Sequence, residues 1–285
     1  MDARSGTERP PIGVAIGTVN ATPAWWLASA RRLEAAGYRA LWAWDQLVGR
    51  GDPRVPVVEQ WTILSAAAGA TTRIGLGTFV TNVGLRNPAL LARMAGTLQD
   101  ASGGRLTLSL GIGGGAKAAA SYGMPFAERA ERLRRLEEAV AVIRLLWTGG
   151  PVSFQGQLLR LEGAYAFPVP ETAPRILIGA ESPGGVRLAA RIGDGWAAER
   201  PAFDAHLPAY LDALAAAGTP RDRAWVALSF GGSERGGANA LDGSEWVVDP
   251  LGAWDRWHAA GADEVLVTAR TSADVDALVG AAERW

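Results

Sequence analysis

Two glycine clusters and one aromatic–acid pair hold most of the chemistry that the residue types of this chain could perform. Gly111-Ile112-Gly113-Gly114-Gly115 follows the apolar run at 106–110, and such a turn lets backbone N–H groups close around a phosphate. Gly179-Ala180-Glu181-Ser182-Pro183-Gly184-Gly185 passes from a strand end into a helix start, where orphan N–H groups and the helix dipole favour an anion, although an ordinary capped helix would look the same. Trp44-Asp45-Gln46 ends another strand. A carboxylate directly after an aromatic is placed to accept a hydrogen bond from a ring N–H or a substrate, and it also reads as a loop cap. Arg86, just before Asn87-Pro88, is equally a surface ion-pair residue. The first glycine cluster fits G-x-G-x-x-A, but the residues after it read as loop and no acidic strand end follows about 20 residues on, so a dinucleotide turn is disfavoured. Cysteine is absent, which excludes disulfides, thiolate catalysis and Cys-ligated zinc. His206 and His258 fall inside helical patterns away from the strand ends. Neither HExxH nor GxSxG occurs, so neither a metal site nor a nucleophile–base triad is expected.

Those residues need a frame that brings distant strand ends together. Residues 71–115 read as strand, helix, strand and glycine turn: a β-branched run at 73–80, Asn87-Pro88 as N-cap and first-turn proline, apolar Leu90, Leu91, Met94 and Leu98 at helical spacing, then Ser102-Gly103-Gly104 as a stop. Two buried strands joined by a helix imply parallel pairing with a right-handed crossover. The unit repeats along the chain. Strands are predicted at 12–18, 41–44, 73–80, 106–110, 175–178, 196–199, 224–230 and 264–268, with helices between them and a small hairpin around Gly156 before strand five. The loop of some 15 residues after strand four is long enough to suggest a lid. Strict alternation predicts a (β/α)8 TIM barrel, one domain over 12–285 behind a disordered lead-in, 1–11. In such a barrel function gathers at the C-terminal strand ends. Here those ends are rich in aromatics and glycine and poor in acid–base groups, which suits gripping a flat conjugated ring.

A net charge of -1 gives no reason to expect a nucleic acid or an anionic membrane as partner. The charged start lacks an apolar core and no run approaches the roughly 20 residues of a membrane span. A cysteine-free chain suits a reducing cytoplasm, and a small-molecule substrate is expected.

The stretches AGYRALWAWD (36–45), ATTRIGLGTFVTNVGLRNPALLARMAGTLQDASGGRLTLSLGIGGG (70–115), FAERAERLRRLEEAVAVIRLLWTGGPVSFQGQLLRL (126–161), PRILIGAESPGGVRLAARIGDGW (174–196) and AGADEVLV (260–267), in this order, resemble the bacterial luciferase-like monooxygenase superfamily over nearly the whole chain. The resemblance implies a (β/α)8 barrel that binds reduced FMN or the deazaflavin coenzyme F420. The short chain and the strand-three motif resemble the F420 branch, so hydride transfer with F420 is expected, with an FMN-dependent monooxygenase or a silent cofactor-binding barrel as alternatives. It further implies Asp45 beside the ring and a bulge at Phe79, Val80 and Thr81 backing it through a non-prolyl cis peptide. Gly111 would contact the cofactor, Gly113, Gly114, Gly115, Gly179, Ala180, Ser182 and Gly184 would hold its ribityl-phosphate tail, and Lys117 and Arg187 would neutralise that tail. Many relatives carry His where this chain has Gln46 and Asn87; that leaves Gln46, a water or Asn20 to handle the proton. A homodimer through helices near 57–70 and 88–101 is also implied.

Overall fold

The computed structural model describes residues 9–49, 52–230, 241 and 243–285. The apolar runs form β1 (Ile12–Ile16), β2 (Ala40–Ala43), β3 (Gly75–Thr78) with its short continuation β4 (Thr81–Asn82), and β5 (Leu106–Gly111). An antiparallel pair follows, β6 (Val152–Gln155) and β7 (Arg160–Ala164), and then β8 (Arg175–Gly179), β9 (Gly195–Glu199), β10 (Trp225–Phe230) and β11 (Glu264–Ala269). Among the named strands every pairing except β6–β7 is parallel, β3 joins β5, β5 joins β8 and β11 returns to β1, so eight strands close into a TIM barrel.

Period two along each strand sorts the side chains. Val14, Leu41, Leu76, Leu108, Ile176, Val226 and Val265 face the outer ring of helices; Ala15, Trp42, Leu177, Ala197, Ala227 and Leu266 fill the lumen. A large apolar side chain buried as fully as these contributes about 1.5–3 kcal/mol. Trp42 is the broadest lumen plug, and glycine makes room for it: a Cβ on Gly77 would lie 2.2 Å from its ring. At the lumen floor the buried Glu264 accepts the Trp42 indole N–H at 3.0 Å. Arg175 closes this end, its guanidinium 4.4 Å from the centre of the Trp225 ring.

The helices begin where sequence chemistry places their caps. Thr22 caps α1 (Pro23–Ala36), Asn87 caps α3 (Pro88–Ala101), Ser182 caps α6 (Pro183–Ile192) and Asp249 caps α9 (Pro250–Ala259); each side chain accepts a first-turn N–H and each helix opens on proline. The others are α2 (Gln60–Ala70), α4 (Ala116–Ser121), α5 (Arg129–Leu146), α7 (Arg200–Ala216), α8 (Glu245–Val248) and α10 (Ser272–Ala282). Two differences from expectation concern the upper rim. The strand predicted over 73–80 is interrupted after Thr78 and resumes at Thr81, with the Phe79–Val80 peptide cis between the two pieces. Residues predicted as loop after the first glycine cluster include α4, and the Tyr122 hydroxyl behind it donates to the Leu47 carbonyl at 3.1 Å, tying the β5 loop to the β2 loop. Of the expected lead-in, residues 1–8 lie outside the described residues, while Pro10 is buried and Arg9 donates to the Ala36 carbonyl. Residues 231–240 and 242 likewise lie outside them. Among the described residues no helix is long and apolar enough to cross a membrane.

Candidate functional site

A cleft of about 520 Å³ opens at the C-terminal ends of the barrel strands, with walls contributed by β2, β3–β4, β5, β8, β9 and the first turns of α5. Its back wall is the cis step. Phe79 packs edge-on against Trp42, ring centroids 6.2 Å apart, and Val80 lies across two strands that have no side chain beneath it. A Cβ on Gly111 would stand 2.5 Å from Val80 Cγ2, and one on Gly179 would stand 2.8 Å from Cγ1. Glycine at these two positions is what lets the valine lie down and leave a flat surface.

An ion network fixes this wall from behind. Arg86 donates to both Asp45 oxygens, at 2.6 and 2.9 Å, and to Glu59 at 2.8 Å. Asp45 also accepts the Asn82 N–H at 2.9 Å, which holds β4 in place. Burial opposes the Arg86 charge, but its bonds to Asp45 and Glu59 outweigh it and raise the guanidinium above its ordinary value. Burial likewise pushes Glu59 up; the N–H groups at the start of α2, which it caps, and Arg86 outweigh it and hold Glu59 below the usual carboxylate range. The Asp45 carboxylate thus spends most of its acceptor capacity inside the protein, although its residue lines the cleft.

The opposite end is cationic. Arg129 donates to the Ser182 hydroxyl at 2.5 Å, and Arg132 donates to the Gly113 carbonyl at 2.6 Å while its guanidinium lies 4.3 Å from the centre of the Phe126 ring. Gly113 adopts φ +71, and a Cβ there would meet Asn82 at 2.2 Å; at Gly114 a Cβ would meet nothing within 4 Å, so that peptide faces open space. Two guanidinium groups, a serine at a helix N-cap and bare glycine backbone suit an anionic arm.

Of the residues singled out from the sequence, Asp45, Gln46, Phe79, Val80, Gly111, Gly113, Gly114, Gly179, Ala180 and Ser182 line this cleft. The others do not. Asn20 is exposed at φ 57, its N–H donating to the Pro56 carbonyl. Thr81 points away from the cleft and donates to Gln60 at 2.7 Å. Gly115 is the N-cap of α4, Lys117 is exposed on that helix, and Gly184 and Arg187 are exposed on α6. Arg129 and Arg132, on the first turns of α5, line the cleft, whereas Lys117 and Arg187 do not. Their signal was present: Arg129, Arg132, Leu133 and Leu136 share one helical face, so two arginines interrupt an apolar stripe. Glu181 and Glu199 also line the cleft, Glu199 at the C-terminal end of β9.

The family profile described as luciferase-like monooxygenase matches residues 9–231. The chain belongs to that family. It is 35% identical over 193 residues to the F420-dependent hydroxymycolic acid dehydrogenase of Mycobacterium tuberculosis, a match covering 67% of this chain and 53% of that protein. It is also 35% identical over 165 residues to the F420-dependent glucose-6-phosphate dehydrogenase of Nakamurella multipartita, covering 56% and 48%. The matches thus span about half the length of these relatives. Among solved structures, an F420-dependent secondary alcohol dehydrogenase in complex with an F420-acetone adduct superposes with a TM-score of 0.80 at 18% identity, covering 96% of this chain and 98% of the other. The monooxygenase RslO1 from Streptomyces bottropensis superposes with a TM-score of 0.74 at 21% identity, covering 95% and 98%. At these identities the superpositions speak for the barrel alone.

Proposed function

We propose that this chain is an F420-dependent oxidoreductase that moves a hydride between the deazaflavin and an unsaturated or alcohol-type small molecule. The observation that carries the reading is the back wall: Val80 laid over Gly111 and Gly179 gives a flat apolar face at the barrel rim, with Arg129, Arg132 and Ser182 at one end for an anionic arm. The two relatives in whose names F420 appears support the choice of cofactor. The residues fit such a group. Phe79 and Val80 would back the ring, and the open backbone at Gly114 with Ser182 and the two arginines would hold the phosphate arm. When bound, the deazaflavin supplies hydride chemistry; the protein's part is to orient ring and substrate within about 3–3.5 Å and to keep water from between them. The described residues lining the cleft include no His, Cys, Lys or Tyr, which disfavours acyl-transfer or Schiff-base chemistry there. The chain works as a homodimer in the cytoplasm on this reading, through the faces of α2 and α3.

Titrating the purified apoprotein with F420 and, separately, with FMN tests the proposal by fluorescence. Saturable binding of F420 with Arg129→Ala weakening it is the expected outcome; saturable binding of FMN alone would make the chain an FMN enzyme.

A further inference from the structure

Asn82 stands on the cleft wall with half of its hydrogen-bonding groups unused. Its backbone N–H goes to Asp45 at 2.9 Å, and its side-chain oxygen accepts the Gly84 N–H at 2.8 Å. The second bond decides which way the carboxamide faces, because only the oxygen can accept from an N–H. The two amide N–H donors are therefore turned away from Gly84, and among the described residues they meet no acceptor. They lie over Gly113, where a Cβ would stand 2.2 Å from Nδ2, 2.3 Å from Cγ and 2.5 Å from Oδ1. Glycine at 113 thus does for this carboxamide what Gly111 and Gly179 do for Val80. Thr81, between the two, points to Gln60, so Val80 and Asn82 share the cleft side of the chain. The wall changes character in this direction: apolar at Val80, a neutral donor at Asn82, then cationic at Arg132, which donates to the carbonyl of the same Gly113. Asp45, clamped by Arg86, fixes the backbone from which the asparagine projects.

Resting on the F420 reading above, we infer that Asn82 is a cofactor-binding residue whose carboxamide donates to an oxygen of the deazaflavin–ribityl part. That part would lie between the ring face on Val80 and the phosphate arm on Arg129 and Arg132. A donor with nothing to donate to inside the protein is matched by the carbonyl and hydroxyl oxygens that such a group carries there.

The bland alternative is an asparagine kept for its turn, and the two roles use different atoms. The turn needs only the oxygen that accepts from Gly84, which aspartate supplies as well. The test is a fluorescence titration with F420 and with the same deazaflavin cut off after its ribityl chain, on wild type, Asn82→Asp, Asn82→Leu and Arg129→Ala. Asn82→Asp keeps the turn and replaces donors with an acceptor; Asn82→Leu loses both. Each should weaken both ligands about tenfold, the effect of leaving one such oxygen unpaired. Arg129→Ala should weaken the complete cofactor alone. Wild-type affinity in Asn82→Asp would make Asn82 a turn residue and overturn the inference. A loss confined to the complete cofactor would place the amide on the arm and overturn it too. Either result leaves the cofactor reading intact, whereas a wild type that binds neither ligand would bring down both.

Discussion

Asp45 lines the cleft, yet its carboxylate works chiefly as a clamp. Its side chain is 5% exposed and that of its partner Arg86 14%, so the pair is close to a buried ion pair, in which loss of one member strands the other. Arg86→Met should therefore cost about 3 kcal/mol, the low end for such pairs because the Asn82 N–H still serves Asp45, and urea unfolding measures it. Arg86→Lys should fall between, since a single ammonium does not span two oxygens as the guanidinium fork does. Glu264 makes the opposite kind of demand. Burial pushes its carboxyl from an ordinary 4.5 up to about 7, against the opposing pull of the Trp42 N–H, Arg39, Arg175 and Trp225. The folded state thus keeps a proton that the unfolded state has released. The stability this group contributes is full below about pH 4.5 and is lost as pH rises towards 7, at about 1.4 kcal/mol per pH unit. Glu264→Gln has no charge to release and its amide oxygen still accepts from Trp42. Between pH 5 and 7.5 the urea midpoint of the wild type should fall relative to that variant; parallel curves would show that Glu264 does not titrate there.

At the scale of elements, the legible parts were those whose ends are written in side-chain chemistry. Thr22-Pro23, Asn87-Pro88, Ser182-Pro183 and Asp249-Pro250 each announce a helix start, and each cap forms. α4 has no such signal: it starts from Gly115 in the left-handed region without a side-chain cap, and six residues are too few to show a period. The break between β3 and β4 was legible only by resemblance, because Thr78 to Asn82 keeps strand-like residue types throughout. Arg129 and Arg132 lie on the apolar stripe of α5, a placement that spacing alone does not distinguish from the solvated edge of an amphipathic helix. The hairpin β6–β7 illustrates a tie that spacing cannot show. Glu138 on α5 accepts the N–H groups of Gln157, Leu158 and Leu159 at 2.8, 3.0 and 2.9 Å, pinning the hairpin tip to the helix. Burial pushes Glu138 up, but those three bonds and Arg134 outweigh it and hold it below the ordinary range. In Glu138→Ala the amides of 157–159 should exchange with deuterium far faster than in the wild type while those of β8 keep their protection. Equal exchange at the tip would mean the turn holds itself.

For the whole molecule, the barrel's rim and its flank pose separate questions. α2 and α3 present a shallow groove of about 750 Å³ whose lining includes Trp61, Ala68, Gly69, Met94 and Leu98 together with Arg93, and Leu90 on α3 is 55% exposed. A Cβ on Gly69 would meet nothing within 4 Å, so this flank is lined by small residues that allow a second helix pair to come close. A two-fold dimer would set the same patch against itself, so one substitution acts twice. Met94→Glu would bring like charges towards each other within a contact that, at the usual size, buries about 1,600 Å² in total. The wild type should sediment as a dimer at micromolar concentration and Met94→Glu as a monomer. Because the groove lies on the flank and not at the strand ends, the variant should bind F420 as the wild type does. A wild type that sediments only as monomer would remove the dimer, and a variant that loses F420 together with its partner would mean that the cleft depends on the second subunit.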